Sequence, residues 1–319
     1  MCESFYAWNL KPEVRWSASG GAFLTLATQV INQRGLVVGA AFAENMAVRH
    51  LVVERLSDLR RLQGVKYVHG RIGREVYDSI RTALSNRRTV LFTGLPCQVA
   101  AVRKLFGAPE NLILCDLVCY GAPQVLLWRK YIEWIQNRKG EKLRHLNPRD
   151  KRHGWGRRTY VRYEWANGDL QEKLSVYDPY SQAFYSALPF LPACYSCQFK
   201  GVNSRADITI GDGWGAEKYI RDESVLRNGV SLVVVRSQTG QRVLQSAELE
   251  RIAVDETWLR LHNKPIFESA HRPPLWHEFQ SDMQTLPFET LVWKYHLQRS
   301  KSRQFLGRMK RVVIRLIRR

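Results

Sequence analysis

Strand and helix signals alternate along the first third of the chain, and this alternation limits the fold more than any other feature. Gly21 to Gln33 reads as a helix that starts at the Ser17-Ala-Ser-Gly-Gly turn. Gly35 to Phe42 reads as a buried strand and Leu51 to Glu54 as a second. A helix over Val76 to Ser85 precedes a strand over Thr89 to Gly94, and a helix over Gln98 to Phe106 precedes a strand over Asn111 to Val118. Such a pattern predicts an open α/β sheet whose ligands sit beyond the carboxyl ends of its strands. Gly94-Leu-Pro-Cys97 and Cys119-Tyr-Gly-Ala-Pro123 both fall at such ends.

The pattern then changes. His145 to Asp178 alternates apolar and polar residues around an Asn167-Gly-Asp turn, which predicts a β-rich insertion. Ala206 to Gly211 and Val230 to Arg236 read as strands that return to the sheet. The expected fold is α/β, a mixed open sheet with flanking helices, the β-rich insertion and a C-terminal basic amphipathic helix. The expected organisation is a cofactor-binding α/β region over 1–140 and a β-rich, cysteine-containing region over 141–255 that completes the core. An irregular aromatic segment over 256–298 and the basic helix over 299–319 follow.

A chain of 319 residues with 45% hydrophobic and 24% charged residues can bury a substantial core. Its N-terminus shows no secretory pattern, and no apolar run approaches the ~20 residues of a spanning helix. The expectation is a cytoplasmic protein whose six cysteines stay reduced and available as ligands. The net charge is +20, and nine Lys or Arg residues with no acid lie between Arg299 and Arg319. Phe305, Leu306, Met309, Val312, Val313, Leu316 and Ile317 follow helical spacing among those cations. This pattern favours a peripheral helix on the anionic inner face of a membrane, over a helix docked on the protein's own core. No nucleic-acid recognition motif accompanies the charge, and nucleic acid is not expected as a partner.

The chemistry-bearing motifs are few. Cys194 and Cys197 form a C-x-x-C turn, half of a four-ligand site that Cys97, Cys115 and Cys119 could complete. Ser17, Ser19, Gly20 and Gly21 open a helix, where free N–H groups suit a phosphate or where the hydroxyls serve as plain caps. Thr93-Gly94-Leu-Pro96-Cys97-Gln98 ends a strand and starts a helix, aiming a thiol and backbone N–H groups at one spot for ligation or nucleophilic attack. Arg149-Asp-Lys-Arg-His-Gly-Trp155 offers an anion-binding cover with His153 as proton donor, or a solvated hairpin end. Asp207 and Asp212, with Trp214, either shape a cofactor pocket or cap a turn.

Together these motifs resemble the beta subunits of coenzyme F420 hydrogenases and dehydrogenases, including short relatives associated with polysaccharide biosynthesis. Ser17-Ala-Ser-Gly-Gly, Val65-Lys-Tyr-Val-His, Gly94-Leu-Pro-Cys-Gln and Asp116-Leu-Val-Cys-Tyr-Gly carry the resemblance. Arg149-Asp-Lys-Arg-His-Gly-Trp, the Cys194/Cys197 pair, Asp207-Ile-Thr-Ile-Gly-Asp-Gly-Trp-Gly and Gly229-Val-Ser-Leu follow in the same order. The resemblance implies an iron–sulfur flavoprotein oxidoreductase that passes electrons between a [4Fe–4S] cluster, FAD and a substrate. It implies Cys97, Cys119, Cys194 and Cys197 as cluster ligands, with Cys115 a strand residue and Cys2 a bystander. Ser17, Ser19, Gly20, Gly21, Lys66, Thr93, Gly94, Pro96, Gln98 and Asp212 are the implied flavin contacts, and Lys66 and His153 the implied catalytic groups. Many relatives carry a ferredoxin-like N-terminal segment; here a separate ferredoxin-like donor is expected. The substrate would be a small or sugar-linked molecule. The alternative is a non-redox sugar or polysaccharide transferase on the same fold, its cysteines holding zinc or nothing.

Overall fold

The computed structural model describes residues 3–156 and 158–298, and the predicted basic helix over 299–319 lies outside them. Ser4–Trp8 (β1) leads through a connection over 9–21 that holds the 3-10 turn Pro12–Trp16 to Ala22–Asn32 (α1), then to Leu36–Phe42 (β2) and Val48–Val53 (β3). Arg74–Ser85 (α2), Val90–Gly94 (β4), Pro96–Phe106 (α3) and Leu112–Leu117 (β5) continue the predicted alternation. Val125–Lys139 (α4) precedes three strands, Leu143–Asp150 (β6), Tyr160–Trp165 (β7) and Leu170–Leu174 (β8), and a helix, Pro179–Ser186 (α5). Ile208–Asp212 (β9), Glu223–Asn228 (α6), Ser231–Val235 (β10), Gln238–Gln245 (α7) and Glu250–Ala253 (β11) come next. Glu256–His262 (α8), Trp276–Thr285 (α9) and Phe288–Lys294 (α10) end the described chain.

Eight strands form one mixed sheet in the order β11-β1-β10-β9-β5-β4-β2-β3. β2, β4, β5 and β9 run parallel, and β3, β10, β1 and β11 add antiparallel margins. Every residue of β4 and β10 is buried, as expected of strands covered on both faces. One face packs under α1, where Leu26, Ala27 and Val30 meet Val37, Leu91 and Val233. α2 and α3 cover the other face through Ile80, Ala83, Val99 and Val102.

The β-rich insertion is the antiparallel sheet β6-β7-β8, whose inner residues Val161, Tyr163 and Trp165 alternate with outward ones. Its core is shared with α4, α9 and α10 through Trp128, Tyr131, Phe279, Met283 and Phe288. The segment after residue 256, expected to be irregular, is therefore largely helical. Its helices are short, and Trp276, Phe279 and Met283 give α9 a buried stripe at helical spacing. α4 also went unpredicted, although Leu127, Trp128, Tyr131, Ile132 and Ile135 form its buried face.

Candidate functional site

A cavity of about 670 Å³ lies at the carboxyl ends of the parallel strands, where Gly94, Leu117 and Asp212 end β4, β5 and β9. Its size is that of a pocket for a drug-sized or cofactor-sized molecule. The start of α1 forms one wall. Gly21 takes a left-handed φ of 91°, and no side chain caps the helix there. Ala22 N–H is held by the Ser231 hydroxyl at 3.3 Å, and Ser17, Ser19 and Gly21 line the cavity. An uncapped helix N-terminus presents free N–H groups and a positive dipole end to whatever enters. Gly20 serves another purpose: a Cβ there would lie 2.5 Å from the Ala7 carbonyl oxygen and 2.6 Å from Ser231 N. It lets the turn lie against β1 and β10, and it does not line the cavity.

A polar knot ties the ends of β6 and β9 to the α1 wall. Arg149, from the end of β6, is 6% exposed and forms an ion pair with Asp212 at the end of β9. The same carboxylate accepts from the Ser19 hydroxyl and, at 3.1 Å, from Trp155 Nε1. Trp155 stacks on Trp214 at 5.1 Å, and the Arg149 guanidinium lies 5.0 Å from the Trp214 ring. Burial opposes the Arg149 charge, but Asp212 more than restores it, raising its pKa so that the group stays cationic. Arg149 Nη2 is buried without a hydrogen-bond partner, as is the Thr93 hydroxyl, and both residues line the cavity. Buried polar groups in that condition mark a place where a ligand would complete the hydrogen bonding.

Lys151 is the residue that sequence reasoning missed. Its ammonium is held by the carbonyls of Ser19 and, at 2.6 Å, Asn228, pinning the loop after β6 onto the α1 turn. Burial, then Arg149, lowers its pKa from 10.5 to about 7 against the pull of Asp212 and Asp150. The available signal was the i, i+2 spacing of Arg149 and Lys151 at a strand end, which turns both to one side. His153, the expected proton donor, is turned away from the cavity, half exposed and 2.8 Å from Glu172. Lys66 lines the cavity, but its Nζ donates to the Gln63 carbonyl at 2.6 Å and the Leu62 carbonyl at 3.0 Å. Burial, aided by Arg60, lowers it to about 7. Those bonds make it a brace for the 61–64 turn.

At the β4–α3 turn, Gly94 and Gln98 line the cavity with Thr93, whereas Pro96 sits within the first turn of α3. The Gln98 amide accepts from Leu95 N–H at 2.9 Å and donates to the Gly70 carbonyl at 2.8 Å. It thus fixes the turn that carries Cys97.

Four thiols gather beside this turn from three parts of the chain. Cys97 is exposed and Cys119, Cys194 and Cys197 are partly buried, while Cys115 is buried in the sheet core apart from them. Cys119 also lines the cavity. Desolvation raises the Cys97 thiol, and the charges of Cys197 and Cys194 add to it. Burial pushes Cys119 up to about 12; Lys200 opposes this, and Cys194, Cys97 and Cys197 reinforce it. Cys97 and Cys119 thus each feel the C-x-x-C pair. Among the described residues no three His, Cys, Asp or Glu side chains close around a single point, so the thiols share a space at longer range than one ion would impose. The Lys200 ammonium donates to the carbonyls of Cys119 and, at 2.6 Å, Pro265, placing a cation next to the group.

The family model for the C-terminal region of coenzyme F420 hydrogenase/dehydrogenase beta subunits matches residues 87–257, just over half of the chain. Among solved structures, a chain of the F420-reducing [NiFe] hydrogenase complex from Methanosarcina barkeri, studied by xenon derivatization, shares the fold with a TM-score of 0.54. The two are 15% identical, and the alignment covers 91% of each. No curated protein sequence matches the chain.

Proposed function

The chain belongs to the coenzyme F420 hydrogenase/dehydrogenase beta subunit family, and on that premise we propose that it is an iron–sulfur flavoprotein oxidoreductase. In this role it passes electrons between a [4Fe–4S] cluster, FAD and a small or sugar-linked substrate. One observation carries the proposal: four thiols from three parts of the chain gather beside a large cavity with unspent polar groups. Thiols whose pKa is raised, as at Cys97, Cys119 and Cys194, are poor nucleophiles and lose their protons more readily to a metal. In a multi-iron core each thiolate binds its own iron, which suits four sulfurs spread around a shared space.

Cys97, Cys119, Cys194 and Cys197 would hold the cluster. The α1 N-terminus with Ser17, Ser19 and Gly21, and the Thr93–Gly94 turn, would hold the flavin. When bound, a cluster supplies one-electron transfer and a flavin storage for two. The chain's own work is positional. Asp212 orients Arg149, whose free Nη2 offers a donor to an acceptor oxygen in the cavity. Lys151 ties the loop after β6 to the α1 turn, and Lys66 braces the 61–64 turn. The Trp214 ring, backed by Trp155, gives the cavity apolar surface that would limit water there. A sugar-linked substrate at a membrane surface fits the basic segment over 299–319, and within the described residues no helix is long and apolar enough to cross a membrane.

The test is the iron, sulfide and flavin content of protein purified without oxygen, before and after reconstitution. The expected sample is brown-yellow, with broad absorption near ~400 nm that dithionite bleaches, and Cys197→Ser lowers its iron without removing the flavin. Protein that takes up zinc in place of iron, and releases no flavin on denaturation, would overturn the proposal.

A further inference from the structure

Cys97 is the most exposed of the four thiols, so the group opens to solvent on the side where α3 begins. The surroundings of that opening are strongly basic. Gly70 accepts from Gln98, and this brings the exposed Arg71 beside the Cys97 turn. Lys104 lies two turns along α3 on the same exposed face as Cys97. Arg103 Nε donates to the Arg205 carbonyl at 3.3 Å, which places the exposed Arg205 against the same helix. From the other flank, the Arg272 guanidinium lies 5.4 Å from the ring of Tyr195, the residue that follows the first cysteine of the C-x-x-C turn. An acid, Glu268, stands near the rim on this flank, beside the Ser269 hydroxyl that takes Cys197 N–H at 3.0 Å. Val202, on the turn that follows the cysteine pair, is 93% exposed, an apolar knob that no described residue covers.

We propose that this face, built from α3 and the 200–205 turn around exposed Cys97, is the docking surface for a small acidic electron-transfer protein. The inference rests on the redox role proposed above and locates the entry of electrons into it. Charge complementarity selects the partner class. Four exposed cations, Arg71, Lys104, Arg205 and Arg272, against one acid, Glu268, lie on the segments around the thiols, on a chain whose net charge is +20. Redox encounters use small contact areas, below ~1,200 Å², and depend on charge steering for their rate. A single apolar side chain such as Val202 suits a contact that must form and release quickly. An apolar partner or a basic one would leave Arg71, Lys104, Arg205 and Arg272 without a counter-charge at the contact.

The experiment uses the full chain, purified and reconstituted without oxygen, and a fluorescently labelled small acidic [4Fe–4S] ferredoxin as the probe. Binding is followed by anisotropy at about 20 mM and about 300 mM salt, since screening acts over a Debye length. The expected result is binding at low salt that weakens at high salt. The paired reversal Lys104→Glu with Arg205→Glu weakens it ~10-fold at low salt, and Arg138→Glu on α4 leaves it unchanged. Equal binding by the parent and the paired variant, or an equal loss in Arg138→Glu, would overturn the docking face. Iron content and bleaching by dithionite, read on the same samples, separate the two proposals. Iron-loaded, reducible protein with no effect of the reversal removes only the docking face; protein that takes up no iron removes both.

Discussion

His50 shows how much one side chain can reveal about conditions of stability. It is 1% exposed, its ring stacks on Phe92 at 5.4 Å, and neither ring nitrogen makes a hydrogen bond. Burial lowers its pKa from 6.5 to about 4, and the nearby backbone of Arg71 and Thr93 offsets this only in part. The unfolded chain therefore binds the proton more tightly between those values, and stability falls as pH drops from about 6.5 toward 4. The cost at the acid end is roughly 3 kcal/mol by linkage. His50→Phe keeps the stack and removes the titration, so its urea midpoint should decline less over that interval than the parent's. Parallel declines would mean that His50 is not the source. At the same scale, the charged loop after β6 was only half legible: its sequence fits an anion-binding cover or a solvated hairpin end, and cannot say which cations turn inward. Side-chain direction depends on where β6 ends, and Arg149 and Lys151 go in while His153 meets Glu172.

The small sheet and its helices depend on one carboxylate. Asp178 caps α5 by accepting from Ser181 N–H at 2.8 Å. It also takes Tyr131 Oη from α4 at 2.9 Å, Tyr163 Oη from β7 at 2.8 Å and Lys173 Nζ from β8 at 2.9 Å. Burial pushes its pKa up, but Lys173 and the hydrogen bonds outweigh it and hold the group below the usual carboxylate range. Asp178→Ala would remove a cap and strand three donors, one of them charged, at a cost of about 3–5 kcal/mol. Chemical denaturation should show that loss, and a change under ~1 kcal/mol would refute the assignment. Elements of this kind explain what the sequence left unread. β2, β4 and β5 announce themselves because nearly all their residues are buried and most are apolar, with Thr93 and Asp116 the polar exceptions. α4 carries Trp128, Tyr131 and Trp134 among cations, a mixture that weakens a helical period until the partners α9 and α10 are known.

For the molecule as a whole, the class of fold and the gathering of the motifs were legible because both follow from strand ends. An α/β sheet collects its carboxyl ends on one side, so Gly94, Cys119 and Asp212 meet there whatever lies between them. The antiparallel half was less legible, because the partners of β1 are distant in sequence and no local pattern names them. The basic segment over 299–319 adds a prediction at this scale. Deleting it should weaken binding to vesicles rich in anionic lipid, with about 1 kcal/mol lost per basic group near the surface. The parent's binding should itself fall with salt in a sedimentation assay. Equal binding by the shortened chain would assign the segment another task.

The placement of β1 has a consequence for how the protein is made. Ser4–Trp8 pairs with β10 on one side and β11 on the other, so its partners leave the ribosome long after it does. The parallel strands β2, β4 and β5 can assemble during synthesis, but Phe5, Tyr6 and Ala7 must wait unpaired for the last third of the chain. Cys194 and Cys197 also emerge well after Cys97, just before β9 joins the sheet. Closure of the sheet is thus a late event, and the four thiols come together only shortly before it.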